Sequence, residues 1–393
     1  MDMENGDSNK NNRKELKIFA LASFLNDMGS DIIAPIWPLF VTSFAGANMQ
    51  VLGFIDGLGD AIVSISQAIS GYWSDKLGKR KIFVWIGYLF GGLSRLGYAL
   101  SATWHWLMPF RILDRAGKMR GAPRDAMIAE ATTDGDRGRS FGFLRAFDNL
   151  GAVCGILISI SLINFFGYRN LFLFAAIPSL IGALIVFFTV RDRPRAGGAK
   201  LFKGIGFKDI DANFRLYLVL SAIFALGAFS YSFLLVFANQ FGFAVYQVPV
   251  LYLLFTFVAS LASFPFGRLS DKLKSRKAVV AIAYILWLSV CAGFILVKSW
   301  WAVIIIFVVY GLYRAAIDTI QSAFVSELAS AAYRAGSLGA FQLVTGLCAL
   351  PASFAAGFIW DKWGKESPFY LSAALTVAAL MLLIFVKEKR SVA

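Results

Sequence analysis

One segment of this sequence occurs twice, at an offset of 196 residues. The copies are residues 71–81 (GYWSDKLGKRK) and 267–277 (GRLSDKLKSRK), and each closes an apolar run and opens a basic turn. At an offset of 197, further residues coincide: Ala126 with Ala323, Glu130 with Glu327, Ser140 with Ser337, and Gly167 with Gly364. The chain is therefore an internal duplication, and its repeated unit is predicted to be a bundle of membrane helices.

The composition also indicates an integral membrane protein. Apolar residues make up 58% of the chain and include 38 phenylalanines, more apolar surface than a water-soluble globule can hide. The apolar runs are continuous rather than alternating, as is typical of membrane helices. The expected fold class is an all-α membrane protein.

The chain supplies twelve spans of about 20 to 25 residues, since about 20 helical residues cross the hydrocarbon core of a bilayer. Six spans fall in each copy, which predicts two pseudo-symmetric six-helix bundles. The fourth span is the least hydrophobic. The predicted spans are residues 16–46, 50–73, 82–101, 105–126, 140–165, 168–190, 216–241, 247–269, 278–297, 301–324, 337–359 and 367–386.

Basic residues between the spans predict the orientation. They concentrate on one side, in the two repeated turns, a central segment and the C-terminal tail, whereas the opposite connections are short and nearly neutral. Both termini are therefore expected in the cytoplasm and the protein in the cytoplasmic membrane. The predicted organisation is a cytoplasmic tail (1–15), a first bundle (16–190), a cytoplasmic basic linker (191–215), a second bundle (216–386) and a cytoplasmic tail (387–393).

Signals of other classes of protein are scarce. The net charge of +14 is spread over the turns of one face, without the basic patch of a nucleic-acid-binding domain. Cys154, Cys291 and Cys348 fall inside predicted spans, which indicates buried thiols rather than disulfides or a metal site. No Walker motif is present, and no constellation of nucleophile, base and metal indicates an enzyme. We expect no cofactor, no metal and no nucleic-acid partner, and a monomer in the lipid bilayer.

The turn after the second span carries a family resemblance. Residues 71–80 match the pattern Gly-x-x-x-Asp-(Lys/Arg)-x-Gly-(Lys/Arg)-(Lys/Arg), which resembles the loop signature of the major facilitator superfamily (MFS). The second copy departs from the pattern at Lys274, where the pattern has glycine. Arg111 followed by Gly117 is similar to a fourth-span element of the same superfamily. More narrowly, the chain resembles a prokaryotic group of largely unassigned substrate at Asn26-Asp27, Ser30-Asp31, residues 111–118, residues 122–125 and Arg137-Gly138. The resemblance implies two six-helix bundles that rock about a central site and carry a small-molecule substrate.

The same resemblance implies a gating role for the repeated turns. Asp75 would accept hydrogen bonds from a helix N-terminus of the other half, where the helix dipole favours an anion, and so latch one state of the cycle. Asp271 would do the same by pseudo-symmetry. The gating motif consists of Gly71, Asp75, Lys76, Gly78, Lys79 and Arg80 in the first copy, and Gly267, Asp271 and Lys272 in the second.

Charged residues within the spans mark candidate sites, because they are costly in a bilayer and normally face a bundle interior or a cavity. Asp27 and Asp31 lie one turn apart on the first span, as do Asp56 and Asp60 on the second. We expect Asp27, Asp31 and Asp60 to be proton-coupling candidates, because an incompletely paired carboxylate can carry a proton.

The fourth and fifth spans supply basic partners. Arg111, Asp114, Arg115 and Lys118 follow at steps of three and four residues, with Arg145 and Asp148 on the fifth span. We expect Arg120 and Arg124 to point elsewhere, toward a neighbouring helix or the cytoplasmic mouth, although Pro123 can shift this register. Such cations suit an anionic substrate group, but paired charges are equally consistent with scaffolding. If all faces converge, one bundle holds six basic and seven acidic side chains: Arg111, Arg115, Lys118, Arg120, Arg124 and Arg145 with Asp27, Asp31, Asp56, Asp60, Asp114, Asp125 and Asp148.

The second half is predicted to differ, because its cavity candidates are mainly aromatic and amide residues. An aromatic wall suits an amphiphilic organic solute, although aromatic residues at helical spacing more often serve packing. The substrate-binding candidates here are Tyr231, Tyr310, Tyr313, Arg314, Asp318 and Gln342; those of the first half are Arg111, Arg115, Lys118, Asp56, Asp114, Arg145 and Asp148.

The function predicted from these features is secondary active transport of a small organic solute, anionic or amphiphilic, by alternating access and with protons as the coupling ion. Two alternatives stay open: a drug efflux antiporter for hydrophobic cations, and a lipid or lysolipid translocator. A sensor or membrane-embedded enzyme is disfavoured by the lack of a soluble effector domain.

Overall fold

The computed structural model describes residues 2–132, 136–190, 192, 211–329 and 334–388. Within these residues the structure is helical and contains no β-strand, so the predicted all-α membrane fold is confirmed. The helices are α1 (Asp2–Ile33), α2 (Trp37–Leu39), α3 (Met49–Leu77), α4 (Lys81–Leu100), α5 (Trp104–Ala116), α6 (Gly121–Ala131), α7 (Arg137–Thr189), α8 (Ala212–Gly227), α9 (Ser232–Gln240), α10 (Val248–Leu273), α11 (Arg276–Leu296), α12 (Trp300–Leu328), α13 (Arg334–Trp363) and α14 (Ser367–Phe385).

All twelve predicted spans are helical, but several are not single helices. The first is α1 and α2 followed by a π-helical turn at Phe40–Phe44, and the fourth is α5 and α6 joined by a 3₁₀ turn at Gly117–Arg120. The fifth and sixth spans form α7, which is interrupted at Gly167 (φ 64°, ψ −178°). The seventh is broken between α8 and α9. Such interruptions are tolerated at membrane depth only where neighbouring groups satisfy the freed backbone.

The ends of the spans differ from the prediction at two places. Helix α1 begins at Asp2, so residues predicted to form an N-terminal tail continue the first helix. Most of the predicted linker 191–215 and residues 389–393 of the predicted C-terminal tail lie outside the described residues.

Two compact units make up the chain. The first contains residues 1–46 and 62–201, and its core includes Phe19, Tyr88, Leu144 and Val186 where α1 and α4 pack against α7. The second contains residues 47–61 and 202–393. Its core is strongly aromatic, with Tyr217, Trp287, Phe294 and Phe369 almost fully buried. The first half of α3 therefore packs with the second unit, although it belongs by sequence to the first six spans.

The sequence duplication is repeated in the helix caps. Asp192, after the sixth span, accepts hydrogen bonds from the backbone N–H groups of Arg80 at 3.0 Å and Lys81 at 2.8 Å, at the start of α4. Glu388, after the twelfth span, accepts one from the backbone N–H of Lys277 at 3.1 Å, at the start of α11. A carboxylate at a helix N-terminus satisfies free N–H groups and complements the dipole. Each copy thus ties its third span to the end of its sixth.

The repeated turns also share a backbone conformation. Gly78 has φ 64°, and Lys274, at the equivalent position, has φ 49° and ψ 31°. This left-handed region suits glycine but is strained for lysine, which carries a Cβ. The turn geometry therefore persists in the second copy although the glycine is lost.

Candidate functional site

The fourth span changes its helical register at the centre of the first unit. Its 3₁₀ turn lies beside α4, where a Cβ on Gly117 would stand 2.7 Å from the carbonyl oxygen of Gly87. A 3₁₀ turn advances fewer residues per turn than an α-helix, so residues beyond it rotate relative to those before it. Beyond this turn, Arg120 contacts Asp27 and Arg124 contacts Ser23, both on α1.

The first ion-pair group lies before this turn. The Asp114 carboxylate is 4.0 Å from Nη1 of Arg111 and 3.6 Å from Nε of Arg115. The hydroxyl of Ser94 lies 3.4 Å from Asp114, and the Arg111 guanidinium stacks over the Trp37 ring at 4.3 Å. Asp114 therefore holds both arginines, and the cation–π contact further stabilises Arg111.

The second group joins the 3₁₀ turn to α1. Nη2 of Arg120 lies 3.7 Å from the Asp27 carboxylate, which also accepts a hydrogen bond from the Asn26 amide at 3.0 Å. Nη1 of Arg120 donates to the carbonyl of Gly117 at 3.0 Å, and the guanidinium lies over Tyr88. Asp27 is thus paired in this structure.

The third group lies one turn further along α6. Arg124 donates to the Asp125 carboxylate at 3.1 Å and to the hydroxyl of Ser23. Its Nη1 is 3.9 Å from Asp148 on α7, and Nη1 of Arg145 is 3.6 Å from the other oxygen of Asp148. The Arg145 side chain is 65% exposed, whereas those of Arg124 and Asp148 are buried.

Lys118 differs from these arginines. It is half-buried within the 3₁₀ turn, and Asp27 and Asp114 lie within electrostatic range of its ammonium group. Its Nζ nevertheless makes no ion pair or hydrogen bond with any residue in the described ranges. The ammonium group of Lys118 can therefore donate hydrogen bonds to a bound ligand.

Arg95 belongs to the same region but was missed by the sequence analysis. It is 1% exposed on α4 and donates to the Ser30 hydroxyl at 2.7 Å and to the Asn26 carbonyl at 3.1 Å, both on α1. Its position within the third predicted span was the available signal, since a lone intramembrane charge marks a structural or functional contact.

Asp56 and Asp60 belong to the second compact unit, which includes residues 47–61. Asp56 is 3% exposed, and its Oδ2 accepts hydrogen bonds from the hydroxyls of Ser230 at 2.8 Å and Ser232 at 2.5 Å. Both serines flank the break between α8 and α9. Asp60 is exposed and lies within electrostatic range of Tyr310. The expectation that seven acidic residues share one bundle stays a prediction, and residues 47–61 cluster with the second unit. Asp31 remains on α1, half-buried, with an interaction partner.

The aromatic candidates of the second unit form a connected cluster. Tyr231 contacts Tyr252 with ring centroids 5.4 Å apart, and Tyr310 lies 5.8 Å from Tyr313. Nη2 of Arg314 pairs with Asp318 at 2.7 Å, with about half of each side chain exposed. Gln342 on α13 is exposed. The cluster combines ring faces with one accessible ion pair.

The gating motif of the first copy is held by charges within its own unit. Asp75 is 2.6 Å from Nη2 of Arg80, whose Nη1 pairs with Glu130. In the second copy Arg276 pairs with Glu327 at 3.2 Å. Lys76 lies 5.0 Å from the centre of the Trp73 ring, and Lys79, Asp271 and Lys272 are exposed. Gly71 and Gly267 are half-buried in α3 and α10. The role of Asp75 and Asp271 as latches stays a prediction.

Within the described residues no group of three His, Cys, Asp or Glu side chains is placed to hold a metal ion. Cys154, Cys291 and Cys348 are free thiols.

Comparisons with known proteins agree with this architecture. The sequence pattern of the Major Facilitator Superfamily matches residues 19–260 and 216–393. An uncharacterized MFS-type transporter of Methanocaldococcus jannaschii is 36% identical over 392 residues, which cover 98% of this chain and 97% of the relative. Quinolone resistance protein NorA of Staphylococcus aureus is 22% identical over 401 residues, covering 96% and 98%.

A crystal structure of the nucleoside transporter NupG superposes with a TM-score of 0.80 at 14% identity, covering 95% of this chain and all of that chain. At this identity the likeness concerns the fold alone. The family and the fold are those of multi-pass membrane transporters, which carry small-molecule substrates, and not those of enzymes. The family match, the full-length relative and the duplicated six-span architecture together establish that this chain belongs to the major facilitator superfamily.

Proposed function

We propose that this transporter moves a small organic anion, in part amphiphilic, together with protons. The proposal depends on Lys118. This lysine is half-buried within the first unit and makes no ion pair with a described residue. Each arginine of the fourth span is held by an aspartate. An ammonium group in such a place gains most from a carboxylate, phosphate or sulfonate that arrives with the substrate.

The balance of charge in the spans of the first unit supports an anion. Within the spans that belong to this unit, six basic and five acidic side chains are buried or half-buried. The buried or half-buried set is Arg95, Arg111, Arg115, Lys118, Arg120 and Arg124 against Asp27, Asp31, Asp114, Asp125 and Asp148. An uncompensated cation is costly at membrane depth, and a bound anion removes that cost.

The same arrangement suggests coupling to protons. An anion at Lys118 places a further negative charge near Asp27 and Asp114. A proton that binds with it compensates this charge, so anion and proton are expected to enter together. Asp27, Asp31 and Asp60 are the candidates for this proton that the sequence predicts.

The second unit, taken by itself, contains an aromatic cluster of a kind that suits an amphiphilic solute. Its ring faces offer apolar contact, and the Arg314–Asp318 pair offers polar groups at their edge. We further propose that the protein works as a monomer in the cytoplasmic membrane with both termini in the cytoplasm, as the basic turns indicate.

Thermal stabilisation by a panel of organic anions and hydrophobic cations, at acid and neutral pH, tests the proposal. The comparison uses the wild type, Lys118→Gln and the matched control Lys298→Gln, whose lysine is exposed outside the spans. Anions should stabilise the wild type and the control, more strongly at acid pH. Lys118→Gln should weaken anion binding about tenfold or more, since a hydrogen bond to a charged group contributes about 1.5–3 kcal/mol. Equal stabilisation of Lys118→Gln would contradict the proposal.

Drug efflux is a second candidate function, favoured by the relative named for quinolone resistance. In that case the stabilising ligands would be hydrophobic cations, and Asp318→Asn rather than Lys118→Gln would weaken their binding. The same panel therefore separates the two functions.

A further inference from the structure

Asp148 is a buried carboxylate with an unused oxygen. It lies on α7 and is 8% exposed; the Ser23 hydroxyl interacts with its carboxylate, but no hydrogen bond of normal geometry reaches its Oδ1 from any residue that the structure describes. The nearest cation to Oδ1 is Nη1 of Arg124 at 3.9 Å, which is beyond hydrogen-bond distance. A buried carboxylate oxygen without a hydrogen bond is unfavourable when the group is ionised, and binding of a proton removes the charge.

Arg124 is shared between two carboxylates. Its Nε and Nη2 both lie 3.1 Å from Oδ1 of Asp125, the next residue on α6, and Nη1 donates to the Ser23 hydroxyl. The guanidinium therefore favours Asp125 over Asp148 in this structure. A small movement of the Arg124 side chain toward α7 would reverse that preference.

The groups around Asp148 come from four helices. Asp27 and Ser23 lie on α1, and the Tyr88 hydroxyl on α4 is 3.2 Å from the Ser23 oxygen. Arg124 and Asp125 are on α6. Arg145 on α7 lies 3.6 Å from Oδ2 of Asp148, but its side chain is 65% exposed and screened by solvent. Asp148 is thus surrounded by two acidic groups, one buried cation and two hydroxyls.

We propose that Asp148 binds the coupled proton on Oδ1 and that Arg124 controls its release. The proton comes from water and converts the carboxylate to the neutral acid while Arg124 pairs with Asp125. When Arg124 moves from Asp125 to Asp148, the new ion pair favours the carboxylate and the proton returns to water. The inference rests on the proposed function, because it names the residue that carries the proton in that transport.

Asp125 is the less suitable carrier. Its carboxylate is already paired with Arg124 at 3.1 Å, and its side chain is 35% exposed. A proton on Asp125 would break an existing hydrogen bond, whereas a proton on Oδ1 of Asp148 breaks none. Movement of the Arg124 side chain would therefore link the charge states of Asp125 and Asp148. Arg124 also donates to Ser23 on α1, the helix that carries Asp27.

Infrared difference spectra of the purified protein, recorded as the pH is changed, test this assignment without a substrate. A protonated buried carboxyl group gives a carbonyl stretching band that disappears when the group ionises. We expect such a band in the wild type and its loss in Asp148→Asn. The matched variant Asp125→Asn should keep the band but shift its titration to more acid pH, because Arg124 is then released to pair with Asp148.

Arg124→Lys provides a second test if Asp148→Asn does not fold. It should shift the titration of the same band, whereas Arg145→Lys should not. A band that persists in Asp148→Asn, or that titrates unchanged in Arg124→Lys, would overturn the inference. Should the band depend on Asp148 while no organic anion stabilises the protein, the proposed substrate class fails and the proton site stands.

Discussion

Asp361 caps the helix that begins at Met49. Its two carboxylate oxygens accept hydrogen bonds from the backbone N–H groups of Met49 at 3.1 Å and Gln50 at 2.9 Å. The packing beside this cap is tight, because a Cβ on Gly357 would stand 2.2 Å from the Met49 carbonyl oxygen. The end of α13 thereby holds the start of α3, in agreement with the placing of residues 47–61 in the second unit.

Replacement of Asp361 should destabilise the protein. Asp361→Ala leaves two N–H groups at the start of α3 without their acceptor, and loss of a helix cap costs about 1 kcal/mol. Asp361→Asn retains one acceptor and should lose less stability. Thermal unfolding in detergent measures both, and an equal melting temperature for wild type and Asp361→Ala would contradict the capping role.

Lys274→Gly should stabilise the protein. Lys274 has φ 49° where the first copy has glycine, and a residue with a Cβ pays about 1–2 kcal/mol in this left-handed conformation. Part of the gain is offset by the greater entropy of glycine in the unfolded chain. The converse change, Gly78→Lys, should lower the melting temperature. A lower melting temperature for Lys274→Gly would show that the Lys274 side chain makes a contact that outweighs the strain.

Gly117→Ala should weaken both stability and anion binding. The added methyl group meets the Gly87 carbonyl oxygen at 2.7 Å, and overpacking of this kind costs about 1–3 kcal/mol. The displaced 3₁₀ turn also carries Lys118. Gly142→Ala is the matched control, since nothing lies within 4 Å of its Cβ position. Melting curves with and without the anion found by the panel measure both effects. If Gly117→Ala is destabilised but binds the anion with unchanged affinity, the position of the 3₁₀ turn does not control anion binding.

Asp75→Asn should slow transport with little change in substrate affinity. The Asp75–Arg80 ion pair is partly exposed, and such a pair contributes up to about 1 kcal/mol, which corresponds to at most about a fivefold change in turnover. Counterflow into proteoliposomes gives the turnover, and ligand titration gives the affinity. A change confined to affinity would count against a gating role for Asp75.

Asp27→Asn should abolish gradient-driven accumulation and preserve exchange, if Asp27 carries protons. The same experiment on Asp31→Asn and Asp60→Asn tests the other two candidates, and Asp148→Asn tests the carrier inferred from its unused oxygen. Uptake with and without a pH gradient distinguishes accumulation from exchange. Undiminished accumulation in Asp27→Asn, Asp31→Asn and Asp60→Asn would leave Asp148 as the proton carrier.

The positions of the helices could be read from the sequence because the bilayer imposes a length and an apolar composition on every span. The aligned residues Glu130 and Glu327 make equivalent contacts in the structure, to Arg80 and Arg276. Helical spacing predicted the Arg111–Asp114 pair for the same reason, since residues three or four apart share a face.

The partners across helices could not be read in this way. Pairing of Arg120 with Asp27 depends on the 3₁₀ turn, and no local pattern marks where a helix tightens. Asp56 lies by sequence on the second span, yet its carboxylate accepts hydrogen bonds from Ser230 and Ser232, about 175 residues away in the chain. Arg95 was overlooked because a single charge in an apolar run has no spacing to compare.

The sequence by itself determined that this chain is a duplicated bundle of membrane helices of the major facilitator superfamily, since repetition, apolar length and a loop signature are properties of the chain. Tertiary structure alone decided which charges are paired. Ion pairing depends on distances of a few ångströms between helices, and these are set by close packing at residues such as Gly87 and Gly117. That packing leaves Lys118 without an ion pair to a described residue and Oδ1 of Asp148 without a hydrogen bond from one.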